Sequence, residues 1–123
     1  MSSSYYPKEV VDPHHHFFDT NNNSFQSFFE SIAPNTVCLP EDYTRDVIDA
    51  LAKVGVTMSG TIHVEAMPDN GVDEVKWVEQ MAAEGRCAYV KGYVASANLT
   101  DDDIESQLQK LVDTTHKLRG IRW

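Results

Sequence analysis

The period of the apolar positions switches back and forth along this chain between two, which suits a strand, and 3.6, which suits a helix. Residues 10–14 read as a first strand, after a loose leader over residues 1–8. Asn21-Asn22-Asn23-Ser24 is turn chemistry, and Phe25, Phe28 and Phe29 recur at helical spacing, predicting a short helix or packed loop there. A connection this long leaves the histidine end of the first strand, where it could cover a site. Pro40-Glu41-Asp42 opens the first full helix, with proline and acids where the free amides and the dipole favour them. Val47, Ile48, Leu51 and Val54 form its apolar stripe, and Gly55 ends it.

A second strand is predicted over residues 58–65 and a second helix over 71–84, with Val75, Val78 and Ala82 on its buried side and Gly85 as its stop. Residues 88–94 make a third strand. Thr100, backed by Asp101, Asp102 and Asp103, is the expected cap of a third helix, whose buried stripe is Ile104, Leu108, Leu111 and Val112. Residues 118–123 begin a fourth strand. Strands alternating with helices call for parallel strands joined by crossover helices, an α/β fold. No helix follows the last strand, so the pattern reads as one partial domain, cut off.

Composition narrows the function classes. At 41% hydrophobic the 123 residues contain enough for a core. Nineteen acids against ten bases give a net charge of −9, which argues against charge-driven binding to nucleic acid or anionic membrane. Cys38 and Cys87 are too few for a disulfide scaffold and read as reduced thiols. The start has no apolar signal region and nowhere are there eighteen consecutive apolar residues, so a cytoplasmic protein is expected.

The candidate chemistry begins at Val10-Val11-Asp12-Pro13-His14-His15-His16. On an extended strand Asp12, His14 and His16 share one face and His15 takes the other. Two imidazoles at i and i+2 converge as the first two ligands of a divalent ion would. Asp12 lies one layer deeper and is expected to support a histidine. On the second strand Ile62 and Val64 are expected to meet the helices, sending His63 and Glu65 the other way. Ile121 and Arg122 divide likewise on the fourth strand. Each strand thus ends in polar groups: His14 and His16, His63 and Glu65, Asn98, and Arg122. Sites of parallel α/β folds sit at that end. Paired imidazoles can polarise a carbonyl or position water, and a guanidinium can hold a carboxylate or carbonyl oxygen. Trp77 and Met81 read as packing.

Val11-Asp12-Pro13-His14-His15-His16-Phe17 resembles the Asp-x-His-x-His strand that opens the amidohydrolase superfamily. Leu39-Pro40-Glu41-Asp42-Tyr43, Thr61-Ile62-His63-Val64-Glu65-Ala66 and Arg119-Gly120-Ile121-Arg122 are similar to its amidohydrolase-related, lactonase-like branch. The resemblance implies the N-terminal part of a TIM (β/α)₈ barrel, about four strands and three helices, that hydrolyses a lactone or similar cyclic ester or amide. It assigns His14 and His16 as catalytic residues and metal ligands. Arg122 becomes a substrate anchor, and His63 and Glu65 are expected to bind the substrate with it. Superfamily members hold one or two divalent ions, often zinc, and some lactonases of this branch work without a metal.

A full TIM barrel needs about 250 residues, and the later ligands and the late catalytic Asp of the family match nothing here. Two other readings therefore stand beside the hydrolase. One is a catalytically incomplete fragment that self-associates, or pairs with a complementary chain, through exposed sheet edges. The other is a small metal-binding α/β domain.

Overall fold

The computed structural model describes residues 5–123, so the first half of the expected leader, residues 1–4, lies outside them. In chain order the protein forms β1 (Glu9–His15), β2 (Phe18–Asp19), a 3₁₀ turn at Ser24–Gln26, α1 (Ser27–Ile32) and β3 (Val37–Cys38). Then come α2 (Pro40–Tyr43), α3 (Asp49–Ala52), β4 (Thr57–Val64), α4 (Gly71–Ala83), β5 (Val90–Ser96), α5 (Ile104–Thr114) and β6 (Leu118–Arg122). The strands β1, β4, β5 and β6 form one parallel sheet in that order. Each crossover moves one place in the same direction, as in the wall of a (β/α)₈ barrel. A doubly wound sheet would reverse at a switch point. The expected α/β architecture is therefore present, with the strand order of half a TIM barrel.

The helices follow from local chemistry. Asn70, in extended backbone, accepts hydrogen bonds from the amides of Val72 and Asp73, so α4 starts with two of its free donors satisfied. Gly85 ends that helix at φ +80°, and Gly55 closes the helix before β4 at φ +78°. Gly71 answers a different need. A Cβ there would collide with the Ser96 carbonyl, so the first turn of α4 lies directly on the end of β5.

Between α2 and α3 the helix widens into one π turn over Thr44–Ile48. The third helix departs from expectation. It begins at Ile104, and the Thr100 hydroxyl instead donates to Asn98 Oδ1 at 2.6 Å within the preceding turn. Val112, expected in the buried stripe, is exposed, while Leu111 is buried.

The core lies between the sheet and the helices: Val75, Val78 and Met81 of α4, Leu111 of α5, and Tyr93 and Ala95 of β5, joined by Phe17 and Tyr43. Met81 packs as expected, and Trp77 meets the Phe25 ring edge-on. Cys38 and Cys87 are both free, and burial pushes the Cys87 thiol up to about 11.

Three facing assignments are reversed. His63 is on the helix side, beside its cross-strand neighbour Tyr93 and the Phe17 ring. Ile62 is on the opposite face, where a Cβ at Gly92 would meet both Ile62 and Arg119. Val64, two residues on, shares the Ile62 face and is likewise outside the core cluster. Strands of a parallel sheet are apolar on both faces, so apolar letters do not mark the helix side. Ile121 packs against the core as the alternation predicts.

Candidate active site

The end of β1 carries two histidine environments. His14 and His16 stand side by side, ring centroids 4.9 Å apart and nearly perpendicular. His14 is exposed and His16 half-buried. His16 Nδ1 lies 2.7 Å from the Val64 carbonyl oxygen. A carbonyl only accepts, so Nδ1 carries the hydrogen and the neutral ring presents the Nε2 lone pair. That is the tautomer of a base or a metal ligand, set by the backbone of β4.

His15 faces the other way, against Tyr43, Phe17 and His63 at centroid distances of 4.8, 4.7 and 5.5 Å. Its Nε2 pairs with Thr61 Oγ1 at 2.8 Å, and burial pulls its pKa down to about 4. Asp12 does not share the His14–His16 face as strict alternation would have it. β1 bulges against β4 between Asp12 and His15, and Asp12 reaches Tyr43, the residue that His15 stacks on. The carboxylate accepts from the Tyr43 hydroxyl at 2.6 Å and from the His14 amide at 3.0 Å. It thus shapes the backbone under His14 and holds no imidazole. Burial raises the Asp12 pKa, but these two hydrogen bonds outweigh it and the net shift is downward.

His63 is 1% exposed. Its Nε2 accepts from the Phe17 amide at 3.0 Å, and burial lowers its pKa to about 3, so it stays neutral. It ties the chain leaving β1 to the middle of the sheet. Glu65 and Arg122, from the ends of β4 and β6, do meet. Arg122 Nε donates to Glu65 Oε1 at 2.6 Å and Nη2 to the Glu65 carbonyl at 2.9 Å. Glu65 Oε2 accepts from the Met67 amide at 2.7 Å. Asn98 is occupied within its own turn, accepting from Thr100 and donating to Asp101.

Beside the Glu65–Arg122 pair is a cavity of about 340 Å³ lined by Phe28, Met67, Pro68, Ser96 and Trp123. The long connection after β1 supplies one wall of it through Phe28. The Asp69 amide donates to the Phe25 carbonyl at 2.6 Å, and the Ser27 hydroxyl donates to Asp69. Neither His14 nor His16 lines this cavity. The structure thus brings together His14 with His16, and Glu65 with Arg122, as two separate pairs.

Glu74 is the residue that reading the sequence missed. It is fully buried, its Oε2 accepts from the Ala66 amide at 2.9 Å, and Oε1 has no partner among the described residues. Burial pushes its pKa up to about 8, helped by nearby Glu65 and opposed by the Ala66 hydrogen bond and by Arg122. The available signal was its position: Glu74 lies on the buried stripe of α4 with Val78 and Met81.

No family model matches the chain, and no curated protein matches it. Among solved structures, Amidohydrolase 2 from Bifidobacterium longum subsp. infantis is similar, with a TM-score of 0.44 and 16% identity over 74% of this chain and 33% of that one. The chain thus spans about one third of the length of that structure.

Two imidazoles fall short of the three or four donors of a zinc site. Among the described residues no group of three or more His, Cys, Asp or Glu is placed to hold a metal ion. No helix there is long and apolar enough to cross a membrane.

Proposed function

We propose that this chain supplies part of a hydrolytic site for a lactone or similar cyclic ester or amide. The observation that carries the reading is the His14–His16 pair, 4.9 Å apart, with the His16 Nε2 lone pair freed by the Val64 carbonyl. His16 then acts as the base that takes a proton from attacking water, and His14 orients that water or the substrate carbonyl. Arg122 is the substrate anchor: Nε and Nη2 are held by Glu65, which leaves Nη1 for a carbonyl or carboxylate oxygen. Glu65 and His63 serve as supports, the first for Arg122 and the second for Phe17.

The test is a panel of lactones assayed with the chain and with its His14→Ala and His16→Ala variants. Hydrolysis that drops at least about a hundredfold in His16→Ala supports the reading. Turnover that is absent throughout the panel, or unchanged in both variants, overturns it. A catalytically incomplete fragment is the second reading, favoured by the separation of the His14–His16 pair from the cavity beside Glu65 and Arg122.

A further inference from the structure

The turn that leaves β4 is clamped by two acids on consecutive amides. Glu74 Oε2 accepts from Ala66 at 2.9 Å, and Glu65 Oε2 accepts from Met67 at 2.7 Å. Met67 sits at φ +52°, in the left-handed region that residues other than glycine rarely adopt. Backbone so placed persists only where its surroundings hold it. The same turn builds the cavity beside Glu65 and Arg122, for Met67, Pro68 and Asp69 all line it. Asp69 is tied in addition to the wall that carries Phe28. Its amide donates to the Phe25 carbonyl at 2.6 Å, and its carboxylate accepts from the Ser27 hydroxyl.

Of the two clamps only Glu65 is secure as a charge, because the Arg122 guanidinium holds its Oε1. Glu74 is 0% exposed, and its Oε1 has no partner among the described residues. Two charged groups bear on it. Glu65, at the end of β4, repels a second negative charge, and Arg122, at the end of β6, is already engaged. β5 ends in Ala95 and Ser96 and brings no charge there, while Asp69 and Asp73, close along the chain, are exposed. A carboxyl in such surroundings keeps its proton, and its pKa is pushed up to about 8. Once ionised, Glu74 needs water or a second donor, and a buried charge with neither is driven toward solvent. The start of α4 has little room to yield, since Gly71 already lies against the Ser96 backbone. The segment that can give way is the strained turn.

We propose that Glu74 is a proton-operated latch on this cavity: protonated, it holds the Ala66–Asp69 turn in place; ionised, it frees the turn and, through Asp69, draws the Phe28 wall outward. The latch governs how a small-molecule ligand reaches Arg122, closed in acid and opening in mild alkali. It does not rest on the hydrolytic reading, since a chain without activity would still open.

Nuclear magnetic resonance of the full 123-residue chain, with labelled methyl groups, phenylalanine rings and carboxyl carbons, tests the latch. The chain is titrated from about pH 6 to 9.5 with a soluble nitroxide present. The Ala66 methyl, on a residue 4% exposed, should stay sharp below the Glu74 midpoint and broaden above it. The Phe28 ring should shift with the same midpoint. Met58, at the other end of β4, is the control and should do neither. In Glu74→Gln, which cannot ionise, the Ala66 methyl should stay sharp throughout. In Ser27→Ala it should still broaden while the Phe28 shift shrinks. An Ala66 methyl indifferent to pH, or one that broadens equally in Glu74→Gln, overturns the proposal, as does a Phe28 response untouched by Ser27→Ala. If Glu74→Gln does not fold, the parent's Glu74 carboxyl carbon decides: a midpoint near the ordinary 4.5, or one apart from that of Ala66, ends it.

Discussion

Arg122 grips Glu65 at two points, its Nε on the carboxylate at 2.6 Å and its Nη2 on the backbone carbonyl at 2.9 Å. The contact ties the end of β6 to the end of β4 across the end of β5. It also fixes the carboxylate that holds the Met67 amide, at a residue whose φ is +52°. The turn leaving β4 is therefore set by long-range chemistry.

Removing that grip leaves a carboxylate only 7% exposed with one remaining donor. Arg122→Ala is expected to cost about 2 kcal/mol, less than breaking a fully buried pair would, because the arginine is itself partly exposed. Arg122→Lys should recover less than half, since one ammonium cannot span both acceptors with the guanidinium's fork. Urea denaturation of the two variants checks both values.

Glu74 predicts a pH dependence. Its folded pKa of about 8 lies above the ordinary 4.5, so the folded chain binds that proton more tightly than the unfolded one. Its stabilising effect is complete below about pH 4.5 and is lost as pH rises to about 8. Linkage puts the whole span on the order of 3–5 kcal/mol. Glu74→Gln, a neutral isostere that still accepts from Ala66, should flatten the stability profile between pH 6.5 and 8. An unchanged slope would remove Glu74 from the account.

His63 works in the opposite sense. Its folded pKa of about 3 lies below the ordinary 6.5, so the unfolded chain takes up the proton first. The neutral ring contributes fully above pH 6.5, and that contribution is lost as pH falls toward 3. His63→Ala should cost about 3 kcal/mol at pH 7, through the cavity and the orphaned Phe17 amide. The same variant should show a shallower acid limb in thermal melts across pH 4–6.5.

Alanine is ordinarily a better helix residue than glycine by about 1 kcal/mol. At Gly71 the order should invert, because the added Cβ meets the Ser96 backbone and forces α4 off the end of β5. Gly71→Ala is expected to destabilise by about 2 kcal/mol net. A melting temperature at or above the parent's would show that the helix can slide.

The alternation of strands and helices, the glycine stops at Gly55 and Gly85, and the packing role of Trp77 and Met81 on their helix were all legible from residue order. They depend on backbone propensity and on periods of two or 3.6, which are local. The pairing of His14 with His16 was legible for the same reason, since it spans three consecutive residues at the end of β1. The faces of His63 and Ile62 were not, because both sides of a parallel strand are apolar and the choice is made by what packs on each. The bulge in β1 was equally hidden: it appears only where β1 must stay in register with β4, and it turns Asp12 toward Tyr43. Glu74 became chemically unusual only once α4 laid it against the end of β4, where water is excluded and a single amide is left to meet it. What the order of residues determines here is which elements form and which of them carry imidazoles; tertiary packing decides each side chain's dielectric surroundings and partners, because those come from segments distant along the chain.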